Sequence, residues 1–192
     1  MRDWKQRLLN DLEPILQAPD PRPRISAYHN MPYAIFRYPP EDEFALRSEV
    51  TMLRTRLEQA GKRITTISLA DCLDEALQRA GLSTKRIAQA EKMTGTAKMV
   101  DTLHSLLSGR QPLDELVAEK LPADADPLSD VVFITRAGAL FPFYRTSSLL
   151  EQLQGKVNVP AVLFYPGDLD GAAGLRFMGI LDAEHNYRPK IF

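Results

Sequence analysis

Three histidines and one cysteine are the residues with which this 192-residue chain could most readily do acid–base, nucleophilic or metal chemistry. Such chemistry needs two or more of these groups at a spacing that the fold can present together. His29, His104 and His185 stand far apart and meet no such pattern. His104 falls inside a long helical periodicity and reads as a helix-surface or core histidine. His185 stands in Glu184-His185-Asn186-Tyr187-Arg188, where a polar turn competes with an acid–base role. Cys72 follows Asp71 at the start of a helix, a place that can lower a thiol pKa, but no base accompanies it. It reads as a small buried side chain. One cysteine excludes an intramolecular disulfide and a Cys-rich zinc site. No catalytic residue, cofactor site or metal site is assigned.

Phosphate chemistry has its own signatures, and the chain carries none of them. There is no Gly-x-x-x-x-Gly-Lys-Ser/Thr loop, no Gly-x-Gly-x-x-Gly run and no Gly-x-Ser-x-Gly elbow. The first strand leads instead into Pro39-Pro40-Glu41-Asp42, where two prolines remove backbone donors and two acids repel phosphate. No intrinsic ATP hydrolysis is expected. Gly171-Ala172-Ala173-Gly174 reads as a turn.

The elements that must position any site follow from periodicity. Trp4, Leu8, Leu12 and Ile15 or Leu16 predict an amphipathic helix over 3–17, shortened or kinked at Pro14. Residues 18–24, Ala-Pro-Asp-Pro-Arg-Pro-Arg, read as an extended linker. The chain thus divides into residues 1–24, helix and Pro-rich linker, and a single α/β domain over 25–192. The helix either folds back on that domain or docks in a partner's groove. Tyr33 to Tyr38 predicts a strand, and Leu46, Val50, Leu53 and Leu57 a helix ending at Gly61. Arg63 to Leu69 is the second strand, followed by a helix over 72–80 capped by Asp71. A longer helix starts at Ser83 or Thr84, with Ile87, Ala90, Met93, Ala97, Val100, Leu103 and Leu107 as its buried face and Gly95 in its middle. A short helix over 113–120 follows. Val131 to Thr135 and Val159 to Tyr165 are apolar runs of doubly covered strands, the second stopped by Pro166-Gly167. Ser148 and Glu151 suggest a capping box for a helix over 148–154. Leu175 to Leu181 and Tyr187 to Phe192 are weaker strands. The expected class is α/β, a mostly parallel central sheet flanked by helices, with an N-terminal amphipathic helix.

In a parallel sheet the loops after the strands gather at one edge, where ligands bind. Those loops carry Arg37 and Tyr38, then Asp71, then Arg136 to Gly138 with Tyr144 and Arg145, then Tyr165 to Asp168. Arginine and tyrosine dominate protein interfaces. The set Arg37, Tyr38, Tyr144, Arg145 and Tyr165 is therefore the candidate partner-binding surface. Two other readings stay open: residues that only shape tight turns, and a small-molecule site. Arg145 holding its own loop through Asp168 or Asp170, with Tyr144 in the core, is the internal alternative.

Composition bounds the function class. Lys and Arg number 24 against 25 Asp and Glu, a net charge of −1. Strong sequence-independent nucleic-acid binding favours a basic surplus, so it is not the favoured main role, although a local patch remains open. Hydrophobic residues at 44% and charged residues at 26% describe a globular chain, not a disordered one. A chain of this length buries roughly 70% of its unfolded surface, enough for one core. No apolar run approaches the ~18 residues of a membrane span, and residues 1–9 lack a signal-peptide core, so a cytoplasmic, membrane-free protein is expected.

Three strings carry a resemblance. They are Ile35-Phe36-Arg37-Tyr38-Pro39-Pro40-Glu41; then Phe133-Ile134-Thr135 through Pro142-Phe143-Tyr144-Arg145 to Leu149-Leu150; then Leu163-Phe164-Tyr165-Pro166-Gly167 with Asp170-Gly171. In this order and spacing the chain resembles the BrxB family, small components of bacterial BREX phage-defence systems, from about Trp4 to Phe192. Relatives often carry Thr-Gly where Thr135-Arg136 stands, which weakens an essential anion-binding role for Arg136. The resemblance implies membership of a multi-protein complex that includes a methyltransferase, a large ATPase and PglZ, a protein of the alkaline-phosphatase-like superfamily. It implies a PglZ-like partner, with other BREX subunits as further partners, and supplies no catalytic residues. Two classes stay open: a non-catalytic adaptor, and a nucleotide- or nucleic-acid-binding module with a degenerate phosphate-loop-like core.

Overall fold

The first strand, β1 (Tyr33–Tyr38), turns Ala34, Phe36 and Tyr38 into one apolar cluster and Tyr33 and Ile35 into another. A strand apolar on both faces must be covered on both, as parallel strands are. The computed structural model describes residues 3–26, 32–171, 174–185 and 187–192, and it has this architecture. Strands β2 (Arg63–Ser68), β3 (Asp130–Thr135) and β4 (Ala161–Asp170) run parallel beside β1 in the order β2-β3-β4-β1. β5 (Gly174–Phe177) folds back antiparallel on the end of β4, and β6 (Lys190–Ile191) pairs with the other side of β1. The α/β class and the mostly parallel sheet are observed as the sequence predicts.

Helices cover the two faces by connection. From β1 the chain enters α3 (Glu43–Gln59), whose Leu46, Val50, Leu53 and Leu57 pack with Phe36, Phe133 and Phe164. The opposite face takes α4 (Leu69–Arg79), α7 (Leu113–Ala118) and α8 (Thr146–Gln152) around Ile35, Ile134 and Leu163. Between α4 and α7 lie α5 (Thr84–Thr94) and α6 (Thr96–Ser105).

The N-terminal helix, α1, spans residues 3–16 and packs on the α3 face: Trp4, Leu8, Leu12, Ile15 and Leu16 are all buried there. Of the two arrangements the sequence allows, the folded-back one is observed. Pro14 does not end the helix, because a wider π-type turn at Leu8–Leu12 precedes it. Proline cannot donate to the carbonyl four residues back, and a widened turn accommodates its ring. Arg56 of α3 holds Glu13 with both Nε and Nη2, at 2.8 and 2.7 Å. Lys62 donates to the Ala18 and Leu128 carbonyls at 2.7 Å each, closing the end of the segment onto the body. The proline-rich stretch is not wholly extended either. α2 (Arg22–Ile25) forms one helical turn because Pro21 and Pro23 fall at its start, where no amide donor is needed, and it buries Ile25.

Other boundaries differ from the sequence reading for local reasons. Ser68, not Asp71, caps α4, accepting from the Asp71 amide at 3.2 Å. The capping box at Ser148 does not form, since α8 already starts at Thr146. β4 continues past Pro166-Gly167 to Asp170 because β5 pairs with that extension. The long helix from residue 84 breaks at Gly95 (φ 85°, ψ 158°), giving α5 and α6. Its predicted buried face is not buried. The stripe is divided between two short helices that lie clear of the sheet, so Met93 is 86% exposed and only Leu107, beyond α6, reaches the core.

Candidate functional site

Sheet order sets where a crevice opens. β1 and β4 lie side by side, yet the chain leaves β1 toward one face while β3 feeds α8 on the other. Diverging connections leave a cleft beyond the strand ends. Here the cleft has a volume of about 250 Å³, and its chemistry comes from Glu43, Arg47, Arg136, Pro166 and Met178.

Two of these residues have backbone that bulky side chains rarely adopt: Arg136 (φ 59°) and Met178 (φ 56°). Among the described residues they are the non-glycine residues with positive φ, and both line this cleft. Such backbone clusters at binding and switch sites. Arg136 is held by Asp71 at 3.0 Å, while its Nε is buried with no hydrogen-bond partner among the described residues. Across the cleft Arg47 donates to Glu43 Oε1 at 2.8 Å, and Tyr38 gives its hydroxyl proton to the other Glu43 oxygen. Gly138 keeps the floor open; a Cβ there would stand 3.4 Å from Met178 Sδ. Among the described residues its lining holds two arginines and one carboxylate, with neither thiol nor imidazole. Such a lining can recognise charge and apolar surface.

The rim is apolar. Phe44, next to Glu43, is 78% exposed with the Arg47 guanidinium 5.2 Å from its ring centre. Ile180, two residues past Met178, is 70% exposed. An exposed aromatic beside an arginine that lines the cleft has the composition of a protein-contact surface. Sequence reasoning missed them, although Phe44 lies off the Leu46-Val50-Leu53-Leu57 stripe and so could have been read as exposed.

The predicted surface residues are divided by the structure. Tyr38, Tyr144 and Tyr165 are buried, which corrects the expectation that they stand at an open edge. Tyr38 and Tyr165 lie on β1 and β4 within the doubly covered part of the sheet. Tyr165 packs against Phe177 and Tyr187, with ring centres 5.4 and 6.0 Å away. Tyr144 donates to Gln152 at 3.0 Å, and burial pushes its hydroxyl up to about 12. Arg145 is half-exposed and pairs with Glu184 at 3.0 Å, so it holds a loop as the internal alternative proposed, through a different carboxylate. Arg37 is half-buried and lies outside the cleft, against Arg7.

The remaining groups keep structural surroundings. Cys72 is buried, and desolvation pushes its thiol up to about 11. His104 is exposed, its Nδ1 donating to the Phe143 carbonyl at 3.0 Å. His185 stands 3.7 Å from Asp170 and is exposed; His29 and Asn186 lie outside the described residues. Among the described residues no group of three His, Cys, Asp or Glu could hold a metal ion, and no helix is long and apolar enough to cross a membrane.

Comparison with known proteins adds the family. A model described as "BREX protein BrxB" matches residues 65–191. A protein named BREX protein BrxB from Bacillus cereus (strain H3081.97) is 29% identical over 158 residues, covering 81% of this chain and 80% of the relative. No solved structure matches significantly.

Proposed function

The chain belongs to the BrxB family of BREX proteins, and from that premise we propose that it is a non-catalytic adaptor of a BREX phage-defence complex that docks a PglZ-like subunit. The observation that carries this reading is the family match across residues 65–191, which spans the strand-end cleft apart from its α3 wall. The cleft supports it chemically. Arginines tethered to carboxylates and an exposed aromatic can bind a partner, but they offer no nucleophile paired with a base. The docking surface in this reading is the strand-end rim, with Phe44, Arg47 and Arg136. The buried tyrosines support it from beneath. Tagged chain recovered from cells carrying the whole operon tests the proposal by mass spectrometry of co-purified subunits. A PglZ-like protein retained by wild type and lost from Phe44→Ala is the expected result. Recovery of the chain alone, or retention unaffected by that variant, contradicts the reading.

A further inference from the structure

Arg7 and Arg37 lie together at the outer side of the sheet. Arg37 is near the end of β1, where its amide donates to the Phe192 carbonyl at 3.1 Å. Arg7 arrives from α1: its Nη2 donates to the Arg37 carbonyl at 3.2 Å, its Nε to Asp3 at 3.2 Å, and its guanidinium lies 5.5 Å from the Phe36 ring centre. Each arginine keeps a buried N–H without a hydrogen-bond partner among the described residues, Nη1 of Arg7 and Nε of Arg37. Beside the pair opens a groove of about 560 Å³ whose charged lining, among the described residues, is Arg7, Arg24, Arg37 and Lys190 against Asp11. Lys190 spends its ammonium on the Phe192 ring at 4.6 Å and the Arg24 carbonyl at 3.5 Å, not on a carboxylate.

We propose that this groove binds the phosphate of a nucleotide or of a nucleic-acid backbone. Two like charges held together with unused buried donors are costly, and an anion shared between them removes the cost. Burial followed by the nearness of Arg7 lowers the Arg37 pKa, and the carboxylates of Asp3 and Asp168 oppose that shift. The pair thus keeps one desolvated guanidinium, Arg37, beside an Arg7 that pairs with Asp3. Phosphate suits it better than carboxylate. Its several terminal oxygens accept from donors arriving on different elements, and arginine forks match its geometry. A net charge of −1 for the whole chain does not oppose this, because the cations are gathered in one groove. The site is separate from the strand-end cleft, and its failure would leave the adaptor reading intact.

The test titrates the full chain with pyrophosphate, ATP and a labelled DNA oligonucleotide, single- and double-stranded, with citrate as the carboxylate control. Wild type is expected to bind a phosphate probe more tightly than citrate, and Arg37→Gln to weaken it about tenfold, the loss of one charge-assisted bond. Lys190→Gln, at the exposed rim, provides the second variant and is expected to weaken the same probe with an unchanged melting temperature. Tight ATP or pyrophosphate binding identifies a free nucleotide as the source. Binding of oligonucleotide alone, falling steeply with salt, identifies a nucleic-acid backbone. Absence of binding by every phosphate probe, citrate binding as tight as phosphate, or affinity unchanged in both variants overturns the proposal.

Discussion

Trp4 donates its indole N–H to Asp42 Oδ2 at 2.6 Å, joining the first turn of the chain to the turn between β1 and α3. Both residues are buried, so the bond is made away from water, where leaving either partner unsatisfied is expensive. This link makes the N-terminal helix part of the core's second layer.

Trp4→Phe should keep most of the packing and lose a buried hydrogen bond to a carboxyl group, costing about 1–3 kcal/mol. Trp4→Ala should cost more, about 3–5 kcal/mol, because a cavity is added. Urea denaturation of the two variants checks both values. A Trp4→Ala chain as stable as wild type would show that the helix is only loosely attached.

Arg136→Gly should be neutral or stabilising by up to about 1 kcal/mol, because glycine adopts the left-handed backbone without the Cβ penalty. The exposed pair with Asp71 that it forfeits contributes about 0–1 kcal/mol. Arg136→Val should be the worse substitution. Melting temperatures of the three chains give the order, and a Gly variant less stable than Val contradicts the backbone account.

Gly167→Ala should destabilise by about 1–3 kcal/mol through overpacking. A Cβ at 167 would collide with the Arg176 carbonyl and stand 2.6 Å from Tyr165 Cε1, so β5 could not stay paired to β4. Hydrogen exchange of the Arg176 and Phe177 amides should speed up in this variant and stay unchanged in Gly109→Ala, where the backbone is not left-handed and the added Cβ meets nothing.

Burial raises the hydroxyl pKa of Tyr33, Tyr38, Tyr144, Tyr165 and Tyr187 above 10.0, with Tyr144 pushed up to about 12. The unfolded chain releases those protons near pH 10, whereas the folded chain holds them. Their contribution to stability is complete below pH 10 and falls as pH climbs toward and beyond about 12. Absorbance at the tyrosinate band should therefore rise together with unfolding. Gradual ionisation near pH 10 of more than one of the six tyrosines, in a chain that stays folded, contradicts this. Cys72, raised to about 11, should resist alkylation near pH 8 until the chain is denatured.

The sheet was legible because Tyr33–Tyr38 and Asp130–Thr135 are apolar on alternate and consecutive positions alike, a pattern that only double coverage satisfies. The candidate site was less so. Tyrosine at a strand end can face solvent or core, and the bulk laid over Tyr165 by Phe177 and Tyr187 comes from distant segments. Periodicity across Gly95 marks an apolar stripe without saying what lies opposite it, and here the stripe does not meet the sheet. The left-handed backbone at Arg136 has no signal in an arginine.

The proposed docking of a PglZ-like subunit on the strand-end rim is decided by a binary titration of the two purified proteins. Saturable one-to-one binding is expected, weakened about tenfold or more by Phe44→Ala with Arg47→Ala, in a chain whose melting temperature is unchanged. Failure of the purified pair to bind, or full affinity in that double variant, would contradict it.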